Sequence, residues 1–257
     1  MGLTVRVAAR TQGGPAKSRN EDAIGINGHL RAVATGRVLE FEGNLEQGVV
    51  CVIADGAGGH PAADHASRMV VERLMLSADR LTSSEGLGQA IIETDRVLRD
   101  AMLDRRELQG MGSTVAAVSL TDEEILIGNV GDSSILEIDR QGILALSVAD
   151  NPERPDWLPE ERAVTGLTQM LGGNGVTSVE PHLARYPIEE GLRLLICSDG
   201  LTDAVAEDDI SRVVRDPAVH QTFLIDALFE SALAAGAADD ISIILASIVN
   251  QAEAVRL

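Results

Sequence analysis

The order of apolar segments predicts an α+β fold of packed β-sheets covered by helices. Two observations carry this. Short runs rich in β-branched residues, 4–9, 49–54, 115–120, 125–130 and 135–138, follow one another as strands in series. Two long stretches at helical spacing sit together as a block between the second and third of these runs. Strands in series with paired helices argue against an alternating chain and its parallel sheet. A third observation sets the extent of the fold. Acidic residues that share one pattern, described below, span most of the 257 residues, so the chain is read as one domain, 1–257, with 45% hydrophobic content to fill its core.

Each element follows from local pattern. The stretch 121–124, Thr-Asp-Glu-Glu, joins two of the strands as a hairpin turn. In the first helix, 62–78, Ala62, Ala66, Met69, Val70 and Leu74 fall near one face, and Pro61 suits the first helical position. The second, 87–108, brings Ile91, Ile92, Thr94, Val97, Leu98, Ala101 and Met102 to mainly helical spacing. A strand at 192–197, helices at 207–214 and 222–235 and a final strand at 241–249 complete the series. The stretch 151–161, with three prolines and Trp157, is an irregular loop, and there is no internal repeat, linker or low-complexity tract.

Charge and composition narrow the function classes. Forty acidic against 21 basic residues give a net charge of −19, which repels nucleic acid and anionic membrane surfaces, so neither is an expected partner. The two cysteines, Cys51 and Cys197, lie inside apolar strand runs and read as buried reduced thiols in a reducing compartment. The first ten residues lack a signal-peptide core, and no apolar run approaches the roughly 20 residues of a membrane span. A soluble, cytoplasmic monomer is expected.

Four acidic tips carry the chemistry. Asp55-Gly56, Gly131-Asp132, Asp199-Gly200 and Asp239-Asp240 each stand at or beside an end of a strand-like run. Carboxylates delivered from separate strand ends can converge on one point, where they repel one another unless hard cations fill the cluster. The pattern therefore points to a carboxylate-bound Mg²⁺ or Mn²⁺ centre. The glycines of Asp55-Gly56-Ala57-Gly58-Gly59-His60 would let the backbone turn sharply and present a carbonyl oxygen to a cation. Taken singly, each tip has a plainer reading: a strand-to-helix turn for the first, a hairpin end for the second, a helix cap for the third and a turn for the fourth.

The order and wording of six segments resemble the metal-dependent protein serine/threonine phosphatases of type 2C, the PPM family, and bacterial members more than animal ones. The segments are Asn20-Glu21-Asp22, Asp55 to His60, Gly110-Met111-Gly112-Ser113-Thr114, Gly131-Asp132-Ser133, Cys197-Ser198-Asp199-Gly200-Leu201-Thr202-Asp203 and Asp239-Asp240-Ile241-Ser242. The resemblance covers nearly the whole chain. It implies a four-layer α-β-β-α sandwich, two central antiparallel sheets flanked by helices, with metals in a cleft at one edge. It implies that Asp55 bridges two metals with help from the Gly56 carbonyl, that Asp199 and Asp239 are further ligands, and that Asp132 helps to hold a third. Glu21 and Asp22 match acidic residues near the metals that act through bound water. It also implies phosphoserine and phosphothreonine proteins as substrates, with a Ser/Thr kinase and its targets as partners, or one dedicated regulatory phosphoprotein. Two cations about 4 Å apart would activate a shared water and clamp the phosphoryl group. In so acidic a chain the phosphate oxygens point to Lys17 and Arg19.

Three departures from the family pattern stand out. Lys17 replaces the usual arginine, so either Arg19 or a lysine point charge would meet phosphate. Ala57 follows the Asp-Gly pair, where many members place histidine or methionine, and Asp240 replaces the usual asparagine; the stretch 147–168 is also shorter than the family's flap. Other chemistries fit less well. Neither cysteine begins a Cys-x5-Arg loop, Gly131-Asp132-Ser133 has no evident histidine partner, Ala16 breaks a phosphate-loop reading of Gly13 to Ser18, and the five histidines lack a zinc motif. The remaining alternative is a weak or inactive phosphatase-like domain that binds a phosphoprotein without turning it over.

Overall fold

Alternation along each strand decides which layer its side chains enter. In the computed structural model, which describes residues 2–15, 17–27, 37–57, 62–139, 141–153, 166–174 and 178–251 and the backbone of 29–31, the strand 49–57 turns Val50, Val52 and Ala54 toward helices. Its Cys51 and Ile53 enter a second cluster between two sheets. Strand 193–197 divides likewise, Leu194 and Ile196 between the sheets and Leu195 and Cys197 beneath other helices. Strands buried on both faces need apolar residues at every position, which is why these read as continuous runs.

In chain order the elements are β1 (Leu3–Gln12), β2 (Asp22–Ile26), β3 (His29–Arg31), β4 (Leu39–Asn44), β5 (Val49–Ala57), α1 (Ala63–Leu76), α2 (Ser84–Asp104), β6 (Gly112–Ser113), β7 (Val115–Leu120), β8 (Glu124–Val130), β9 (Ser134–Ile138), β10 (Ile143–Ala145), β11 (Leu171–Gly172), β12 (His182–Pro187), β13 (Arg193–Cys197), α3 (Asp199–Thr202), α4 (Glu207–Val214), α5 (Gln221–Ala234) and β14 (Ile241–Asn250). One sheet runs β10-β9-β13-β14-β1-β4; the other runs β11-β6-β5-β7-β8-β12, with β2 and β3 added beside β5. The strand pairings are antiparallel. Helices α1 and α2 cover the larger sheet through Val70, Leu74, Ile91 and Leu98. The smaller sheet is covered by α3 to α5 through Leu201, Ile210, Ile225 and Phe229. The four-layer sandwich is thus present.

The seven strand runs and four helices expected from pattern are all found, with ends shifted by a few residues. The second helix stops at Asp104, and a 3-10 turn, Arg106–Leu108, takes up the rest of its expected span. Pro61 and most of the loop 151–161, Trp157 included, lie outside the described residues. Sequence pattern did not single out β2, β4 or β12. The latter two are edge strands whose alternate positions are exposed, Glu40 and Glu42 on β4 and Leu183, Arg185 and Pro187 on β12, and β2 is interrupted by Gly25, where a side chain would come within 2.5 Å of Val71 on α1.

Register places the functional ends together. Gln12 at the end of β1 pairs with Ile241 at the start of β14, and Cys197 at the end of β13 pairs with Ile243. In the other sheet Asp22 at the start of β2 pairs with Asp55 near the end of β5, and Val130 at the end of β8 pairs with Val115. All of these ends open on one edge of the sandwich.

Candidate metal centre

The inner part of this edge is built from Asp22, Asp55 and Asp199. Asp22 is 1% exposed, and its Oδ2 accepts from Ser242 Oγ at 2.6 Å and Ser198 Oγ at 2.9 Å. Its Oδ1 is buried without a partner, as is Oδ1 of Asp199. Asp55 is fixed from the backbone: its N–H donates to Thr114 Oγ1 at 3.0 Å, and its carbonyl accepts from Thr114 N at 2.8 Å. The Asp55 carboxyl lies near enough to Asp22 and Asp199 for their charges to raise its pKa. Carboxylates meet this closely only with a shared proton or a cation between them.

Electrostatics say the same. Burial, then the charges of Asp22, Asp199 and Asp239, hold the Asp55 carboxyl well above the usual carboxylate range. Burial raises Asp22 to about 7, with the charges of Asp240 and Asp199 adding and the serine hydroxyls opposing. Burial also raises Asp199 to about 6, assisted by Asp132, Asp239 and Asp203.

The outer part is organised by the loop between β1 and β2. Asp240, 1% exposed, accepts from Gly14 N through Oδ1 at 2.8 Å and from Glu21 N through Oδ2 at 2.7 Å, so one carboxylate fastens both ends of the loop. Glycine is required at 14, because a Cβ there would stand 2.4 Å from the Asp239 carbonyl oxygen. Within the loop, Lys17 Nζ lies 2.8 Å from Glu21 and 2.6 Å from Asp239. Burial opposes charge on Lys17, but its hydrogen bonds to Asp239 and Glu21 outweigh this and raise the ammonium above its ordinary value. Arg19 is exposed and its guanidinium lies 3.3 Å from Asp64 of α1.

Asp132 follows β8 at the same edge, its carboxyl raised by burial and by the charges of Asp203, Asp150 and Asp239. Gly56 does not make the sharp turn expected of it. It stays in β5, paired with Ser113, and its need for glycine comes from close packing: a Cβ would be 2.4 Å from Ala63 O and 2.8 Å from Glu21 O. Gly58, Gly59 and His60, the rest of that motif, lie outside the described residues, as does Ala16. Both thiols are buried, with pKa values pushed up to about 12 by that burial, so no thiolate nucleophile is available. Ser133 Oγ contacts Thr114 Oγ1 at 2.8 Å rather than a histidine.

Sequence reasoning passed over Ser198 and Ser242 as functional residues, although both stood inside the acidic motifs. Their signal was position: Ser198 precedes Asp199, and Ser242 lies on the first turn of pleat after Asp240, where its hydroxyl reaches Asp22. Asp150 was also passed over. It is 7% exposed and accepts from Gly131 N at 2.8 Å, while its other oxygen lies 2.8 Å from His182 Nε2, which steadies the turn that carries Asp132.

The donor set fits hard divalent cations: oxygen ligands only, two of them buried and unpartnered, in a cluster whose like charges raise one another's pKa. Among the described residues, no three Asp, Glu, His or Cys side chains are arranged for a single ion to take all three at once. The carboxylates of Asp239 and Glu21 are instead turned to Lys17.

Comparison with known proteins places this arrangement. The family model "Protein phosphatase 2C" matches residues 41–242. The serine/threonine protein phosphatase PstP of Mycobacterium tuberculosis is 26% identical over 96% of this chain, which spans 46% of that protein's length. The serine/threonine phosphatase stp of Listeria innocua is 28% identical, with 92% of this chain and 93% of that protein covered. The solved catalytic domain of PstP in complex with two manganese ions superposes with a TM-score of 0.75 at 24% identity, covering 96% of this chain and all of that one, a likeness of fold. With a family match over most of its length and the same layered architecture, the chain belongs to the protein phosphatase 2C family.

Proposed function

We propose that this chain is a metal-dependent protein serine/threonine phosphatase of one domain, 1–257, that hydrolyses phosphoserine and phosphothreonine in protein substrates and opposes a Ser/Thr kinase. One observation carries the reading. Asp22, Asp55, Asp199 and Asp239, drawn from four separate strand ends, meet at one edge with two carboxylate oxygens buried and unpartnered. Asp55, Asp199 and Asp239 would hold two Mn²⁺ or Mg²⁺ ions with the Gly56 carbonyl, and Asp132 a third. Bound there, such ions supply a water of lowered pKa and a clamp for phosphoryl oxygens.

The chain's own groups prepare that site. Ser198 and Ser242 aim Asp22 by holding one of its oxygens, which leaves the other for the centre. Thr114 fixes Asp55 through its backbone on both sides. Asp240 fastens the loop that carries Lys17, Arg19 and Glu21 over the opening. Arg19, exposed and held among the described residues by a solvent-accessible ion pair to Asp64, can turn to a phosphate at little cost. Among the described residues no helix is long and apolar enough to cross a membrane.

The test is phosphate release from a phosphothreonine peptide with Mn²⁺, with Mg²⁺ and with chelator, beside Asp55→Ala as control. Metal-dependent release that vanishes in the variant is the expected result. A folded, Mn²⁺-bound protein that releases nothing from phosphothreonine, phosphoserine or aryl phosphate would leave the phosphoprotein-binding reading. The engagement of Asp239 and Glu21 by Lys17 is the observation that favours that second reading.

A further inference from the structure

The outer half of the centre already contains a cation that belongs to the chain. Lys17 Nζ stands 2.6 Å from Asp239 Oδ1, 2.8 Å from Glu21 Oε2 and 3.7 Å from Asp240 Oδ2. Asp239 Oδ1 also accepts from Asp240 N at 2.7 Å, so this oxygen is shared between an ammonium and a backbone donor. The ammonium is not there by loop drift. Asp240 bonds Gly14 N and Glu21 N on either side of Lys17, and Lys17 N itself donates to Gly14 O at 3.0 Å. With its backbone pinned, Lys17 can leave Asp239 only by rotating its side chain.

We propose that Lys17 is a built-in counter-cation that a divalent ion must displace from Asp239, so that the Asp239 side of the centre binds metal more weakly than the Asp55–Asp199 side. This rests on the metal-centre reading above. The physical reason is like-charge repulsion at one carboxylate, whose Oδ1 the ammonium already holds. A Mg²⁺ or Mn²⁺ ion bonds carboxylate oxygen at about 2.1 Å, and an ammonium left at hydrogen-bond distance from the same atom would face it at about 4 Å, where like charges repel strongly in a half-buried site. Among the described residues no lysine or arginine is ion-paired with Asp55 or Asp199, and Asp199 keeps a buried oxygen without a partner. The two sides of one centre therefore differ in what an arriving ion meets, and on the Asp239 side it meets an ammonium already in place.

Calorimetric titration of the chelator-stripped full chain with Mn²⁺ tests this, with free Mn²⁺ followed by electron paramagnetic resonance. Wild type should bind in a tighter and a weaker step, and Lys17→Met should tighten the weaker step by about tenfold, 1.4 kcal/mol. Arg19→Met, an equal change of charge two residues away whose partner is Asp64, should leave both steps alone. Thermal midpoints supply a second sign. Lys17→Met should melt lower than wild type in chelator, where three carboxylates lose their cation, and no lower in saturating Mn²⁺. An unchanged or weakened second step, equal tightening by Arg19→Met, or equal destabilisation in chelator and Mn²⁺ would each overturn the proposal. So would a Lys17→Met protein that loses only its affinity for inorganic phosphate. Asp55→Ala separates the two levels: if it keeps both steps, or wild type shows none, the metal-centre reading fails and takes the proposal with it.

Discussion

The two halves of the candidate centre solve the same electrostatic problem in different ways. In the outer half the protein answers its own charge: Asp240 is held by two backbone N–H groups, and Lys17 stands among Glu21, Asp239 and Asp240. In the inner half it does not. Asp22, Asp55 and Asp199 lie together with no lysine or arginine ion-paired to them among the described residues, and two of their oxygens are buried and unpaired. Buried charge without a partner costs several kcal/mol, so a fold keeps it only where a ligand repays that cost. The contrast shows where the structure depends on something from outside and where it is complete.

The largest effect should come from breaking the inner half. Asp199→Asn removes a negative charge and one anionic ligand while keeping shape. Turnover should fall by about a hundredfold or more, a loss of ligand exceeding the usual 10–100-fold loss of a supporting contact. In chelator the same variant should be more stable than wild type, because it relieves repulsion from Asp132, Asp239 and Asp203. Near-normal turnover at low Mn²⁺, or a variant less stable in chelator, would sink the assignment and blur the distinction between the halves.

A smaller effect tests whether the inner half is aimed as well as charged. Ser242→Ala removes the 2.6 Å donor to Asp22 and leaves Ser198 as its remaining hydroxyl partner. Mn²⁺ affinity should fall by about tenfold, the lower range for an orienting contact. The fold should survive, since β14 keeps its pairing with β1 and β13 on both sides. Unaltered Mn²⁺ affinity with lower stability would make Ser242 a packing residue only.

The sequence made the two halves unequally legible. Asp55 and Asp199 stood out because each follows an apolar run long enough to read as a buried strand, and antiparallel register then brings run ends together, whereas Asp22, at the start of a strand that pattern did not single out, was reached only through the family resemblance. The outer half was harder. Lys17 was assigned to phosphate because it was a rare positive charge in an acidic chain, but sequence spacing does not reveal that the loop folds back to put it beside Asp239, more than 200 residues away. Asp240 looked like a substitution at a ligand turn, and only the tertiary fold shows it fastening that loop. The strands β4 and β12 were illegible for a related reason: edge strands with one wet face lack the continuous apolar pattern that marks their neighbours.

The smallest effect sharpens the comparison through pH. In the metal-free protein Asp22 titrates near 7 and Asp199 near 6, both raised first by burial, whereas an unfolded aspartate titrates near 4. Between about pH 4 and 7 the folded chain therefore binds more protons than the unfolded one, so stability must fall as pH rises through that window. The penalty is fully present above pH 7 and disappears as protons replace the missing cation. Denaturant midpoints in chelator at pH 5.5 and 7.5 should differ by about 1 kcal/mol in favour of the lower pH, after discounting for solvent and coupling among the carboxylates. In Mn²⁺ the ordering should reverse, because protons then compete with the ion for the same oxygens. Lys17→Met should leave the chelator slope of the inner half in place, since Lys17 contacts neither Asp22 nor Asp199. A slope that vanished with Lys17 would mean that the two halves titrate as one cluster and that the division drawn between them is false.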